Sequence, residues 1–433
     1  MLYPFIGLIY AGAAFAFTAP SLQDQFLTFP DVGHLLKIPL NFIHGIPTLD
    51  IGFGTPPQLA TAVFDTGSLV SWCNSTACTQ ASSVFHREQS STNTAFDYTI
   101  EIKYIDGSSA RVLPELDKLT FPGIISIPRH LMGEALQVTL GKDWPEHANA
   151  RFALGDFGAF EKYLSNAKGL VEGVKQLVQG VLHRAVADDR TSTGFSAPSA
   201  PDFKKRDGIH GQFEWVLGPD PAKYVGPLHE LELMPAGKVV SPYWKLPMRG
   251  IQLFPENTIP VSDVAPEQRQ DLLGKLLPLR LDLEKERSHY GIIESSTPYL
   301  HLPLRLSQAL NAKIGAQFDP DAGVYTIECD RIKQEPYWLA LEFNGLDAIL
   351  PPHQYIIRRG GQCHSAIKDN PQDDTVIHLG GPFFRSFYLE FHTMAKKVGI
   401  AESVIHNGLL RPHSSDPTLY TNLIDHQLPL LEI

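Results

Sequence analysis

The chain has 433 residues, enough for one large two-lobed unit or two to three ordinary domains. Hydrophobic residues make up 43% and charged residues 19%, a globular composition and not a disordered one. A net charge of −11 lacks the basic face that nucleic acid or an anionic membrane needs, so neither is expected as a partner.

Residues 1–19 are apolar without a charged side chain, and Ala14-Phe15-Ala16 supplies a small-x-small cleavage site. A secretory signal peptide is expected there, with an uncleaved anchor as the alternative. The first basic residue is Lys37, so the usual basic leader is missing, while Pro4 and the glycines make a poor spanning helix. Residues 20–36 read as a short N-terminal extension or propeptide remnant. No later stretch is long enough to span a membrane, and no C-terminal tail suggests a lipid anchor. A secreted protein is expected, or one in a vacuole or other secretory compartment, with no stable membrane anchor.

Short apolar or alternating runs follow, among them "TLDIGFG", "LATAVFD", "YTIEIKYI" and "DKLTFPGIISI", with Gly and Pro between them. Cys73 and Cys78 bracket "NSTA" and can close a tight loop, leaving Cys329 and Cys363 as a second pair. Metal binding is the alternative use of the first two, but no His lies at ligand spacing. Asn74 carries the chain's glycosylation sequon, on what reads as an exposed tip. Residues 169–186 show helical spacing, weakened by two interior glycines. A polar loop follows. Its Lys204, Lys205 and Arg206 read as solvated loop, with a processing site as the alternative. "GQFEWVLG", "WLALEFNGLDAIL" and "SFYLEFHTMAKKVGIAE" read as strands, and "LRLSQALNAKIGA" as a second short helix. The order predicts a mostly β protein in two similar halves, with too few helices for a parallel βαβ sheet.

The chemistry starts at "VFDTGS". Asp65 ends an apolar run, Gly67 permits a sharp turn, and Thr66 and Ser68 offer hydroxyls to hold a carboxylate. Its surroundings make the motif specific: "IGFGTPPQ" before it, Trp72 after it, then "IKYIDGSS". With these residues the chain resembles the pepsin-like aspartic peptidases, the flap being most similar to fungal members. The likeness continues through "FALGDF", "LGPDPAKYVGPLHELEL" and "HLGGPFFRSFYLEFHTMAKKVGIAE", and spans about nine-tenths of the chain.

The resemblance implies a bilobal fold with a cleft between two β lobes, residues 37–228 and 229–433. It implies a flap carrying Tyr104, Asp106 and Gly107, with Trp72 packed behind Tyr104, and it fits a Cys329–Cys363 disulfide. It implies a water held between two carboxylates, one ionised as general base and one protonated as acid. The substrate would be a polypeptide bound extended, the protein a monomer, and no metal or cofactor would be needed.

"GIIESSTP" departs from that pattern. Glu294 stands where the second catalytic Asp belongs, Ser296 where a Gly belongs, and Ser295 and Thr297 keep hydroxyls. The extra methylene of Glu carries its carboxylate too far by about one bond, roughly 1.5 Å, unless the loop draws back. Two functions are therefore expected. One is an aspartic endopeptidase with Asp65 and Glu294 as its dyad. The alternative is an inactive member that binds a peptide or protein through the cleft. A glycoside hydrolase has only the carboxylate count in its favour, and a metalloenzyme finds no H-E-x-x-H.

Overall fold

The structure, a computed structural model, describes residues 36–75, 78, 84–155, 192–196, 213–217, 219–234, 243–255, 279–283, 289–392, 395–404, 408–413 and 431–432. The signal segment, the helix expected at 169–186, Asp156 of "FALGDF" and the basic triplet at 204–206 lie outside these residues.

Alternation builds the first strand. In Leu36–Ile43 the buried side chains are Ile38, Leu40 and Phe42, every second residue. Ile46–Phe53 and Gln58–Asp65 then form an antiparallel hairpin that turns at Gly54, whose φ of +81° suits a residue without Cβ. Gln58–Asp65 is buried over its last four residues, and it runs parallel to Ala150–Ala153. Ala150–Ala153 also pairs antiparallel with Ser71–Asn74, which runs parallel to the long strand Ile125–Thr139.

The second half repeats this plan. His289–Ile293 runs parallel to Val376–Leu379. Val376–Leu379 pairs antiparallel with Leu300–Pro303, which runs parallel to Ile367–Asn370. In each half a buried strand thus delivers one carboxylate to the end of a parallel pair. The two similar β lobes of the bilobal pepsin-like fold are present.

A further sheet joins the halves. Leu36–Ile43 pairs with Phe213–Leu217, which pairs with Ser192–Ser196; that strand pairs with Phe387–His392. Lys397–Ser403 and Tyr224–Glu232 complete it. Late strands of the chain thus enter one sheet with the N-terminal strand. Phe64, which precedes Asp65, packs with Phe121, Phe152 and Trp215 at ring-centroid distances of 5.3–6.2 Å.

The expected helix is Leu304–Ile314, with Leu306, Leu310 and Ile314 inward and Gly315 as its left-handed cap. Cys329 and Cys363 are bridged. Two expectations need correction. Cys73 and Cys78 are both free thiols, because each points at a carbonyl of the adjoining long strand, Gly133 and Ala135. Asn74 is no exposed tip: it is 7% exposed, at the end of a fully buried strand.

Candidate active site

The two loops after the parallel pairs hold each other reciprocally. Thr66 Oγ1 donates to the Ile293 carbonyl at 2.9 Å and accepts from Ser295 N at 3.1 Å. Ser295 Oγ donates to the Phe64 carbonyl at 2.7 Å and accepts from Thr66 N at 3.0 Å. All four bonds are buried and cross between the lobes, which fixes the spacing of the two carboxylates.

Each loop is also braced from its parallel partner. Leu154 N and Gly155 N donate to the carbonyls of Asp65 and Ser68. Glu294 N donates to the Leu379 carbonyl, and Gly381 N to that of Thr297. Thr66 and Ser68 do not hold a carboxylate as expected, the Thr66 hydroxyl being spent on the second loop. The Ser68 hydroxyl makes a 3.4 Å bond to the Val70 carbonyl, and that of Thr297 pairs with His301 Nε2 at 2.9 Å.

Glu294 meets Asp65. The glutamate lies across Gly67, where an added Cβ would come within 1.8 Å of Oε2. The bare glycine of the first loop thus takes up the extra methylene of the second. Ser296 does not push the loop away. Its hydroxyl donates to Glu294 Oε1 at 2.5 Å. Burial first, then repulsion by Glu294, raises the Asp65 pKa to about 8 against the pull of Arg151, and a hydrogen bond to Glu294 adds to the rise. Two carboxyls in contact cannot both ionise cheaply, so their titration belongs to the pair.

The flap is a hairpin of Ile100–Lys103 and Ser109–Phe121, turned at Gly107 with φ +82°. Tyr104 OH accepts from Trp72 Nε1 at 2.7 Å, and Trp72 stacks on Trp144 with centroids 5.7 Å apart. Asp106 Oδ1 accepts from Ser108 N at 2.8 Å and so shapes the tip.

Sequence reasoning missed Arg151, which lies opposite Trp72 in the bracing strand and is 0% exposed. Its Nη1 donates to Asp65 Oδ2 and, at 3.1 Å, to Ser296 Oγ. Its Nη2 donates to Asp106 Oδ2 and Ser108 Oγ on the flap, each at 3.1 Å. The guanidinium carbon lies 3.6 Å from the Tyr104 ring centroid and 5.1 Å from that of Trp144. One side chain therefore ties the first loop, the second loop and the flap together. Burial opposes its charge, but Asp65, Tyr104 and Asp106 outweigh burial and raise its pKa. The signal lay in "ARFALG": an arginine inside a short apolar strand is rare unless paired.

Further contacts cross the cleft. Asp143 receives Tyr299 OH at 3.3 Å and faces Arg359 at 3.4 Å and Lys368 at 3.7 Å. Gln372 Nε2 donates to the Tyr104 carbonyl at 3.2 Å. Beside the dyad, His378 Nδ1 lies 3.9 Å from Glu294 Oε2, and burial lowers the pKa of His378 to about 4. Among the described residues no cluster of three metal-ligating side chains occurs, and no helix is long and apolar enough to cross a membrane.

Two carboxylates at the ends of matched parallel pairs, under a tyrosine flap, define the class of pepsin-like bilobal proteins. The family model for eukaryotic aspartyl proteases matches residues 48–142 and 210–403, and the chain belongs to that family. Similar curated proteins include vacuolar protease A of Neurospora crassa, 25% identical over 83% of this chain and 79% of the relative. Vacuolar aspartic protease of Candida albicans is 26% identical over 91% of this chain and 84% of its own. Human gastricsin is 25% identical over 81% and 80%.

Proposed function

We propose that this chain is a catalytically silent pepsin-like protein that binds a polypeptide segment through its cleft. The observation that carries this reading is the buried Arg151 guanidinium, bonded to both Asp65 and Ser296. A general base must reach the water it activates, and the dyad needs its acid free to meet a substrate carbonyl. Here Asp65 is turned to a permanent cation, and Glu294 is held by Ser296 and Asp65. An arginine cannot discharge itself by giving up its proton. The apolar N-terminus, together with relatives named as vacuolar proteases, supports action in a secretory-pathway compartment.

The contact between Glu294 and Asp65 favours a second reading, an acid endopeptidase in which substrate displaces Arg151. The two readings separate in one assay. The folded full chain is incubated with a peptide library from pH 2 to 7, and products are read by mass spectrometry. No cleavage is expected from the wild type. Cleavage that disappears in Asp65→Asn overturns the silent reading and establishes the peptidase. The combination Arg151→Gly, Glu294→Asp and Ser296→Gly is expected to gain acid-range cleavage, since it removes the cation from Asp65 and the hydroxyl that holds the second carboxylate.

A further inference from the structure

Lys245 opens the strand Lys245–Pro255 and sits opposite Ile292. Directly opposed residues share a sheet face, as do alternate residues along a strand. Lys245, Ile292 and Tyr290 therefore share one face, and Glu294 follows Ile292 by two residues, about 7 Å further along. Val376–Leu379 flanks this face, with His378 opposite Ile292. Asp373 and Gln372 come just before that strand, and Gln372 reaches the flap backbone. The face is thus cleft wall beside the dyad.

The Lys245 ammonium lies 4.4 Å from the Tyr290 ring centroid and 5.8 Å from that of Tyr243. No carboxylate lies within ion-pair distance of it among the described residues. An unpaired lysine usually keeps its charged head in water. This one is half-buried against π faces, which attract the cation and leave ammonium hydrogens to give. Burial lowers its pKa, and the charge of Asp373 only partly offsets this.

We propose that Lys245, held by Tyr243 and Tyr290, is a subsite for a carboxylate of the bound polypeptide. This rests on the reading of the cleft as a polypeptide site. The carboxylate can be an acidic side chain or a free C-terminus, and the same experiment tells them apart. Fluorescence anisotropy with the full chain compares labelled peptide pools that hold Glu or Gln at one fixed position, each as C-terminal amide and as free acid. A preference of about tenfold, equivalent to 1.4 kcal/mol, is expected for the carboxylate-bearing partner. Glu over Gln identifies a side chain, and acid over amide a terminus. Lys245→Met is expected to abolish the preference, and Lys245→Glu to turn it toward Lys-containing pools. Equal binding of all four pools, or a preference that survives in Lys245→Met, overturns the subsite while leaving the cleft reading intact. Binding of no pool overturns both.

Discussion

The two loops that face each other in the cleft share a frame and differ in what they carry. Asp65-Thr-Gly-Ser and Glu294-Ser-Ser-Thr exchange matching hydrogen bonds through Thr66 and Ser295, and each is braced from a parallel strand. The second loop has a longer acid and no glycine, yet the frame is undisturbed. The cause lies across the interface, where bare Gly67 leaves room for the glutamate. The altered letters therefore do not simply wreck a dyad. Glu294, Ser296 and Arg151 form one connected set with Asp65, in which both terminal nitrogens of the guanidinium are bonded.

The largest effect is expected from removing the arginine. Arg151→Met leaves Asp65 and Asp106 as buried acids without their cation, a change that costs about 3–5 kcal/mol. Urea unfolding at pH 7 measures it. A similar loss is expected at pH 4, because Asp65, with its pKa raised to about 8, already holds its proton at pH 7. A loss below about 1 kcal/mol at both pH values, as for a surface pair, breaks the claim that the set acts as one unit. Gly67→Ala comes next. Its Cβ meets the Glu294 carboxylate, and overpacking of this kind costs about 1–3 kcal/mol. Glu294→Asp in the same chain is expected to recover much of that loss, as the shorter acid vacates the space.

Much of this was legible in the sequence. "VFDTGS", the "YIDGSS" hairpin and "HLGG" are local signals, each set by a turn glycine at the end of an apolar strand, and the fold and both loops follow from them. The Cys73–Cys78 pairing and the exposure of Asn74 were not legible, because both depend on the packing of Ser71–Asn74 against strands distant in sequence. Arg151 escaped for the same reason. Its partners come from residue 65, the flap and residue 296, and only the assembled lobes bring them together.

A smaller effect sharpens the electrostatic side of the comparison. The folded-state pKa of Asp65 is raised to about 8 from 3.8. The folded protein then holds a proton that the unfolded chain gives up, so this contribution to stability is complete below pH 3.8 and is lost as pH rises toward 8. His301 and His378 act in the opposite sense. Their pKa values are lowered to about 3 and about 4, mainly by burial, so their contribution is present above 6.5 and fades as pH falls. Thermal melts of the wild type are expected to decline on both sides of a weakly acid maximum. Asp65→Asn is expected to flatten the alkaline side alone, and an unchanged alkaline slope breaks this account of the pair.

The smallest effect tests whether the lobes are held together by the loops or by the cleft edge. Asp143 faces Tyr299, Arg359 and Lys368 across the opening, but Arg359 is nearly half exposed, and solvent screens such a pair. Asp143→Asn keeps the shape and removes the charge, and is expected to cost no more than about 1 kcal/mol. Thr66→Val removes a hydroxyl that makes two buried bonds between the loops and leaves Ser295 N without its acceptor, a loss of about 1–3 kcal/mol. The ordering of the two, read from denaturant midpoints at matched slope, is the informative result. If Asp143→Asn proves the more damaging, the cleft edge holds the lobes together and the loop frame is secondary. If Thr66→Val does, the paired loops are the joint on which both the dyad and its arginine are built.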